Sequence, residues 1–225
     1  MRALAIMAAA AMALTGCGSF DPGLQAGIQQ ALGNVLGTDE APTEQPSFDE
    51  VIAMPFASIA LSVAFAPDAP PALLAANSVV NGRVWYVDAQ RRGIILEGAR
   101  VSGTRGMVQD VLSAMYLASD PLVTPTLPDA WPDQTLVIQH ARNGLGQDYS
   151  RALRCRIAQV GVEMTELYQR VVTLMHLSES CTSGGITFRN DHWIDPNDGR
   201  MWKTRQWMGP QTGHVEVVVI RPFSG

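Results

Sequence analysis

The residue whose surroundings define a chemistry most sharply is Cys17. It closes the run Leu14-Thr15-Gly16-Cys17, an aliphatic residue and two small ones ahead of a cysteine. Before that run, Arg2 supplies a positive charge and Leu4–Leu14 an apolar stretch rich in Ala and Met. This order is that of a secretory signal cut before Cys17 (residues 1–16), with the cysteine then lipidated. The stretch is too short to span a hydrocarbon core of about 30 Å, which takes about 20 apolar residues. Each buried CH₂ adds about 0.8 kcal/mol, so several acyl chains hold a protein stably where one holds it marginally. Gly18 stands where an Asp would favour retention in the inner membrane, which points to a lipid anchor in the outer membrane, facing the periplasm. An ordinary signal with a chance cysteine, or a short buried helix, is the competing reading.

Cys155 and Cys181 remain, an even pair for an oxidising compartment, where disulfides persist. A disulfide is favoured over two buried thiols. The four histidines, His140, His176, His192 and His214, are scattered, none three or four residues from another or from a cysteine. Asp191, Asp195 and Asp198 invite calcium, since hard cations take clustered carboxylates. Pro196 and Gly199 explain the same segment as a turn, and no metal or other cofactor is expected. Glu163, Glu166 and Glu179 could be cast as a glycosidase carboxylate pair, but solvated strand faces explain them better. No G-x-S-x-G, P-loop, H-E-x-x-H or C-x-x-C run occurs, so the chain does not read as an enzyme. Trp193, Trp202, Gln206 and Trp207 form the one group suited to recognition: aromatics beside Gln and Arg stack on sugar rings and bond hydroxyls. Against that, aromatics often fill a core or pack across strands.

These residues need a scaffold. Hydrophobic residues make up 47% and charged ones 16% of the 225, enough for a sizeable core. The net charge is −5, one unit more negative without Arg2, and Lys203 is the only lysine. No basic run exists, which argues against nucleic acid. Residues 17–49 read as the lipidated cysteine, a short helix with Leu24, Ile28, Leu32 and Leu36 at fourfold spacing, and an acidic linker over 38–48.

Residues 50–225 read as a single domain. Its mainly β pattern predicts an antiparallel curled sheet or barrel-like domain of about eight to ten strands. Apolar residues alternate over Ala57–Phe65, the apolar runs Leu73–Val80 and Arg83–Asp88 flank Asn81-Gly82 as a hairpin turn, and Ile94–Val101 reads as another strand. Val108, Val111, Leu112 and Met115 sit at helical spacing, predicting a short internal helix over 107–119. Gln134–Ala141 reads as a strand. Residues 149–163 and 169–180 read as long paired strands, with a helix over 150–178 as the competitor. A hairpin tip near Tyr168 would put Cys155 and Cys181 thirteen residues to either side, and so opposite each other. Trp193 and Trp202 would oppose each other across the Asp195–Gly199 turn, ahead of a closing strand over Val215–Ile220.

The segment from Asn190 to Gln206, with Trp193, Asp195-Pro196, Gly199, Trp202 and Gln206 at its fixed points, resembles the closing hairpin of the YjbF/GfcB lipoproteins. Gly209-Pro210 and Arg221-Pro222 fit the same pattern, as do Met54-Pro55-Phe56-Ala57-Ser58-Ile59 and Asp120-Pro121-Leu122 upstream. The likeness runs in order over residues 50–222; Ala89-Gln90-Arg91-Arg92 departs from it at a turn that should be plainer. The resemblance implies a non-enzymatic envelope lipoprotein, accessory to exopolysaccharide or group 4 capsule production and export. Its partners would be a second periplasmic protein, a large outer-membrane β-barrel and the polysaccharide itself. No catalytic residue comes with it. A glycan-modifying enzyme and a barrel carrying a hydrophobic ligand are the alternatives.

Overall fold

The computed structural model describes residues 45–64, 66–128 and 131–223. The expected signal, Cys17, the helix expected over residues 18–37, most of the expected acidic linker, and Phe65 lie outside them. One short helix, α1 (Phe48–Ala53), begins on a capping box. The Ser47 hydroxyl accepts from the Glu50 amide while the Glu50 carboxylate accepts from the Ser47 amide.

Twelve strands follow: β1 (Ser58–Val63), β2 (Ala72–Val80), β3 (Arg83–Val87), β4 (Gly93–Glu97), β5 (Arg100–Arg105) and β6 (Asp110–Tyr116), then β7 (Thr135–Arg142), β8 (Asp148–Leu167), β9 (Arg170–Ser183), β10 (Ile186–Ile194), β11 (Met201–Gly209) and β12 (Gly213–Arg221). All pairs are antiparallel, in the order β5-β4-β3-β2-β1-β12-β11-β10-β9-β8-β7-β6. The sheet is an up-and-down meander in which the terminal strands β1 and β12 pair and β5 and β6 are the two edges. It curls into a nearly closed barrel. At the seam side chains replace the ladder: Thr104 Oγ1 donates to Asp110 and accepts from the Val111 amide, and the Tyr116 hydroxyl donates to the Val101 carbonyl.

Every strand sends residues to one interior cluster, including Ile59, Leu74, Tyr86, Ile94, Val101, Val111, Val137, Leu153, Leu177, Ile194, Met208 and Val217. Burial of this set is the main driving force for closure. A second cluster lies on the outer wall. There Ala60, Val218 and Ile220 meet Val51 of α1 and Leu167 and Leu174 of the β8–β9 hairpin.

Three expectations are corrected. The described residues form twelve strands, because Ile94–Val101 is two strands, turning at Gly98 and Ala99, and because Asp110–Tyr116 is a strand as well. Gly98 has φ +60°, and a Cβ there would sit 2.3 Å from the Val123 carbonyl oxygen, so only glycine lets the β6–β7 loop cross this turn. The short helix is at 48–53 and not at 107–119, where β6 runs. Leu112 is a bulge, since Val111 pairs with Ala141 and Ser113 with His140. The extra residue puts Val111 and Ala114 both inside at 0% exposure, three apart, which imitates a helical period. Third, Trp193 pairs with Lys203 and Ile194 with Met201, so Trp202 sits in a bulge and does not oppose Trp193.

The long hairpin behaves as its symmetry suggested. Leu167 pairs with Arg170 around a two-residue tip, Tyr168-Gln169, and Cys155 pairs with Cys181. The tip is half a residue later than a turn centred on Tyr168, and a bulge between Gln159 and Gly161 restores the register.

Candidate functional site

Two polar assemblies lie on opposite faces of the same strands. The inner one is built around Arg100, the first residue of β5 and 2% exposed. Its guanidinium pairs with Asp120 at 2.8 Å and approaches Glu179 at 2.7 Å, the latter without the alignment of a hydrogen bond. Asp120 also accepts from the Leu122 amide, which pins the β6–β7 loop over the barrel. Glu179 accepts from the Asn190 amide at 2.7 Å and lies 3.4 Å from His192 Nε2. His192 Nδ1 lies 2.8 Å from Thr204 Oγ1.

Gln206 completes the chain, donating to Thr204 Oγ1 and the Ala99 carbonyl and accepting from the Val101 amide. At 5% exposure its amide is spent on backbone and wall, not presented to an outside ligand. Burial pushes the Glu179 carboxyl up, but Arg100, then His192 and Asn190, overcome it and hold the group down at about 2. Burial likewise opposes the Arg100 charge, and Glu179 and Asp120 more than restore it. The assembly ties β5, the β6–β7 loop, β9, β10 and β11 together across the barrel, on both sides of the seam. Cys155 and Cys181 form a disulfide beside it, with Asn190 Nδ2 3.8 Å from Cys181 Sγ.

The outer assembly lies where the hairpin folds back. Beyond Cys155, β8 has no partner on its β7 side among the described residues, and beyond Met175 β9 leaves β10. The free ribbon crosses the outer wall. Leu167 and Leu174 pack down on β1, β12 and α1, while Val162, Met164 and Val171 on its other face are 56%, 77% and 58% exposed. Its tip is fastened to the segment before α1: the Tyr168 hydroxyl donates to the Pro46 carbonyl at 2.5 Å, and the Phe48 amide donates to Gln169. Both tip residues have positive φ, 20° and 64°, a strained turn that these bonds hold.

Under the ribbon, Trp193 stacks on His176 with centroids 4.7 Å apart, donates from Nε1 to Glu163 at 2.7 Å, and lies 5.1 Å from Lys203 Nζ. Arg170 sits between Phe48 and Trp202, 4.7 and 5.0 Å from their centroids. Trp207 is apart from both, stacked on Phe188 at 4.3 Å with Arg151 4.5 Å from its centroid. The structure thus gathers Trp193 and Trp202 on one outer surface, keeps Gln206 inside, and puts Trp207 with different neighbours. Arg100, Asp120, Asn190 and Thr204 form a network that sequence reasoning missed. Its traces in the sequence were Arg100 beginning a strand, and Asp120 and Asn190 within the segments that resemble the family.

The remaining candidates do not converge. Glu179 is in the interior, Glu163 bonds Trp193, and Glu166 is exposed on the ribbon. Asp195 accepts from the Asn197 amide and Asp198 from the Arg200 amide, as turn residues do, while Asp191 pairs with His176 and Arg189.

A nearly closed antiparallel barrel with an ion-paired interior and an external ribbon is a small β-domain scaffold with its chemistry turned inward. This chain belongs to the family described as group 4 capsule polysaccharide lipoprotein gfcB, YjbF, whose family model matches residues 24–220. Its fold is similar to the crystal structure of the hypothetical lipoprotein YmcC from Escherichia coli (K12), with a TM-score of 0.68 at 16% identity over 80% of this chain and 91% of that one. No curated protein matches this chain in sequence.

Proposed function

We propose that this protein is a non-enzymatic accessory factor in exopolysaccharide or capsule production and export. In this reading Cys17 holds it on the periplasmic face of the outer membrane, and it binds envelope partners or glycan. The observation that carries the reading is the family match over residues 24–220, which takes in every strand of the barrel. The geometry supports it in two ways. Among the described residues the barrel interior carries the buried Arg100 ion pairs, and the cavities its core residues line are small, about 250 and 330 Å³, which disfavours a carrier of a large hydrophobic ligand. Glu163, Glu166 and Glu179 share no cleft, which disfavours glycosidic chemistry. What faces outward is the apolar row of the ribbon and the tryptophan surface beneath it.

The test is deletion of the gene, with complementation by the native chain and by Cys17→Ala. Loss of extracellular polysaccharide, restored by the native chain alone, is expected, as is co-purification of an outer-membrane β-barrel protein from solubilised envelopes. Unchanged polysaccharide in the deletion strain would overturn the reading.

A further inference from the structure

The wall beneath the ribbon tip opens into a groove of about 330 Å³. Three distant parts of the chain build it: Gln45 from the segment before α1, Glu166 and Tyr168 from the ribbon, and Lys203 and Glu216 from β11 and β12. Ala60 and Val218 give it an apolar floor. Its walls are fixed. Gln45 Nε2 donates to the Pro71 carbonyl at 2.6 Å, Tyr168 is tied to Pro46, and Lys203 pairs with Glu216 at 3.0 Å.

Resting on the accessory reading above, we propose that this groove is a glycan subsite that takes a neutral pyranose. A sugar ring offers hydroxyls that each donate and accept, and a C–H face that is apolar. The groove answers with the Glu216 carboxylate as acceptor, the Lys203 ammonium as donor, and an aliphatic floor. Its volume falls at the lower end of ligand clefts, about 300–1,000 Å³, which suits a short piece of a chain. The Lys203–Glu216 pair cancels, so the groove holds no net charge to draw in a uronate or phosphate, and a neutral ring meets it without a charge penalty. Lys203 also touches Trp193, which links the groove to the aromatic surface. Because the wall and the tether segment both contribute, a bound glycan would bridge the barrel and the chain leading to its anchor.

The experiment uses the full mature lipoprotein in detergent on an array of neutral, amino and uronic-acid oligosaccharides. Retention of neutral oligosaccharides is expected. With those probes in solution, acetylation of Lys203, the only lysine, by an N-hydroxysuccinimide ester should slow severalfold. Glu216→Ala should weaken binding roughly tenfold, the loss of one charged hydrogen bond. Its thermal midpoint should move little, because a partly exposed ion pair such as Lys203–Glu216 contributes little to stability. No retained neutral oligosaccharide, retention of uronates alone, or binding unchanged by Glu216→Ala would each overturn the subsite. A polysaccharide defect in the deletion strain would then still stand, separating failure of the groove from failure of the accessory function.

Discussion

Replacing Arg100 with Met removes the cation that holds two carboxylates inside the barrel. Asp120 and Glu179 have 0% side-chain exposure, and each lies within 2.8 Å of the guanidinium. A carboxyl held at about 2 instead of 4.5 is favoured in its ionised form by roughly 3 kcal/mol. Breaking a buried ion pair from one side costs about 3–5 kcal/mol. For a chain of this length that is a fall in Tm of roughly 6–20 °C.

The pH dependence discriminates further. In the native protein the folded pKa of Glu179 is depressed. Its stabilisation is therefore complete above pH 4.5 and is lost as pH falls through that value towards about 2. Without Arg100, burial dominates and raises the Glu179 pKa, so the variant should gain stability as pH falls from 7 to 5 while the native protein does not. Thermal melts followed by circular dichroism across that range give both quantities. Adding Glu179→Gln and Asp120→Asn to Arg100→Met should recover part of the loss. A variant that melts within about 2 °C of native with the same pH slope would refute the ion lock.

Reduction of Cys155–Cys181, or Cys155→Ala with Cys181→Ala, should cost about 3 kcal/mol from the loop of 26 residues it closes, read as a lower denaturant midpoint; no change on adding dithiothreitol would contradict this. Gly98→Ala should cost more than about 2 kcal/mol, because positive φ and the Val123 carbonyl both oppose a Cβ; equilibrium unfolding measures it, and a neutral result would mean the β6–β7 loop does not sit against this turn. Cys17→Ala should move the protein from the membrane to the soluble fraction on envelope fractionation, and continued membrane association would point to another means of attachment.

Much of this protein was legible in the sequence because the signals were local. Asn81-Gly82 specified its turn, since both residues must take positive φ, and they do, at 51° and 77°. The spacing of Cys155 and Cys181 about Tyr168 specified the hairpin, because two paired strands conserve distance from the tip. The tryptophan turn carried the family. Two of the misreadings came from bulges, which add one residue and shift every later side chain to the other face. That single mechanism made β6 look helical and placed Trp193 against Lys203 in place of Trp202. The inner network was invisible because Arg100, Asp120, Glu179 and His192 are separated by loops and strands, and only barrel closure brings their charges to within hydrogen-bonding distance. Which tryptophans share a surface, and whether Gln206 faces in or out, likewise followed from the curl of the sheet and the folding back of one ribbon. Sequence set most of the strands through neighbouring residues; tertiary structure alone decided which side chains meet, because those contacts are made between strands far apart along the chain.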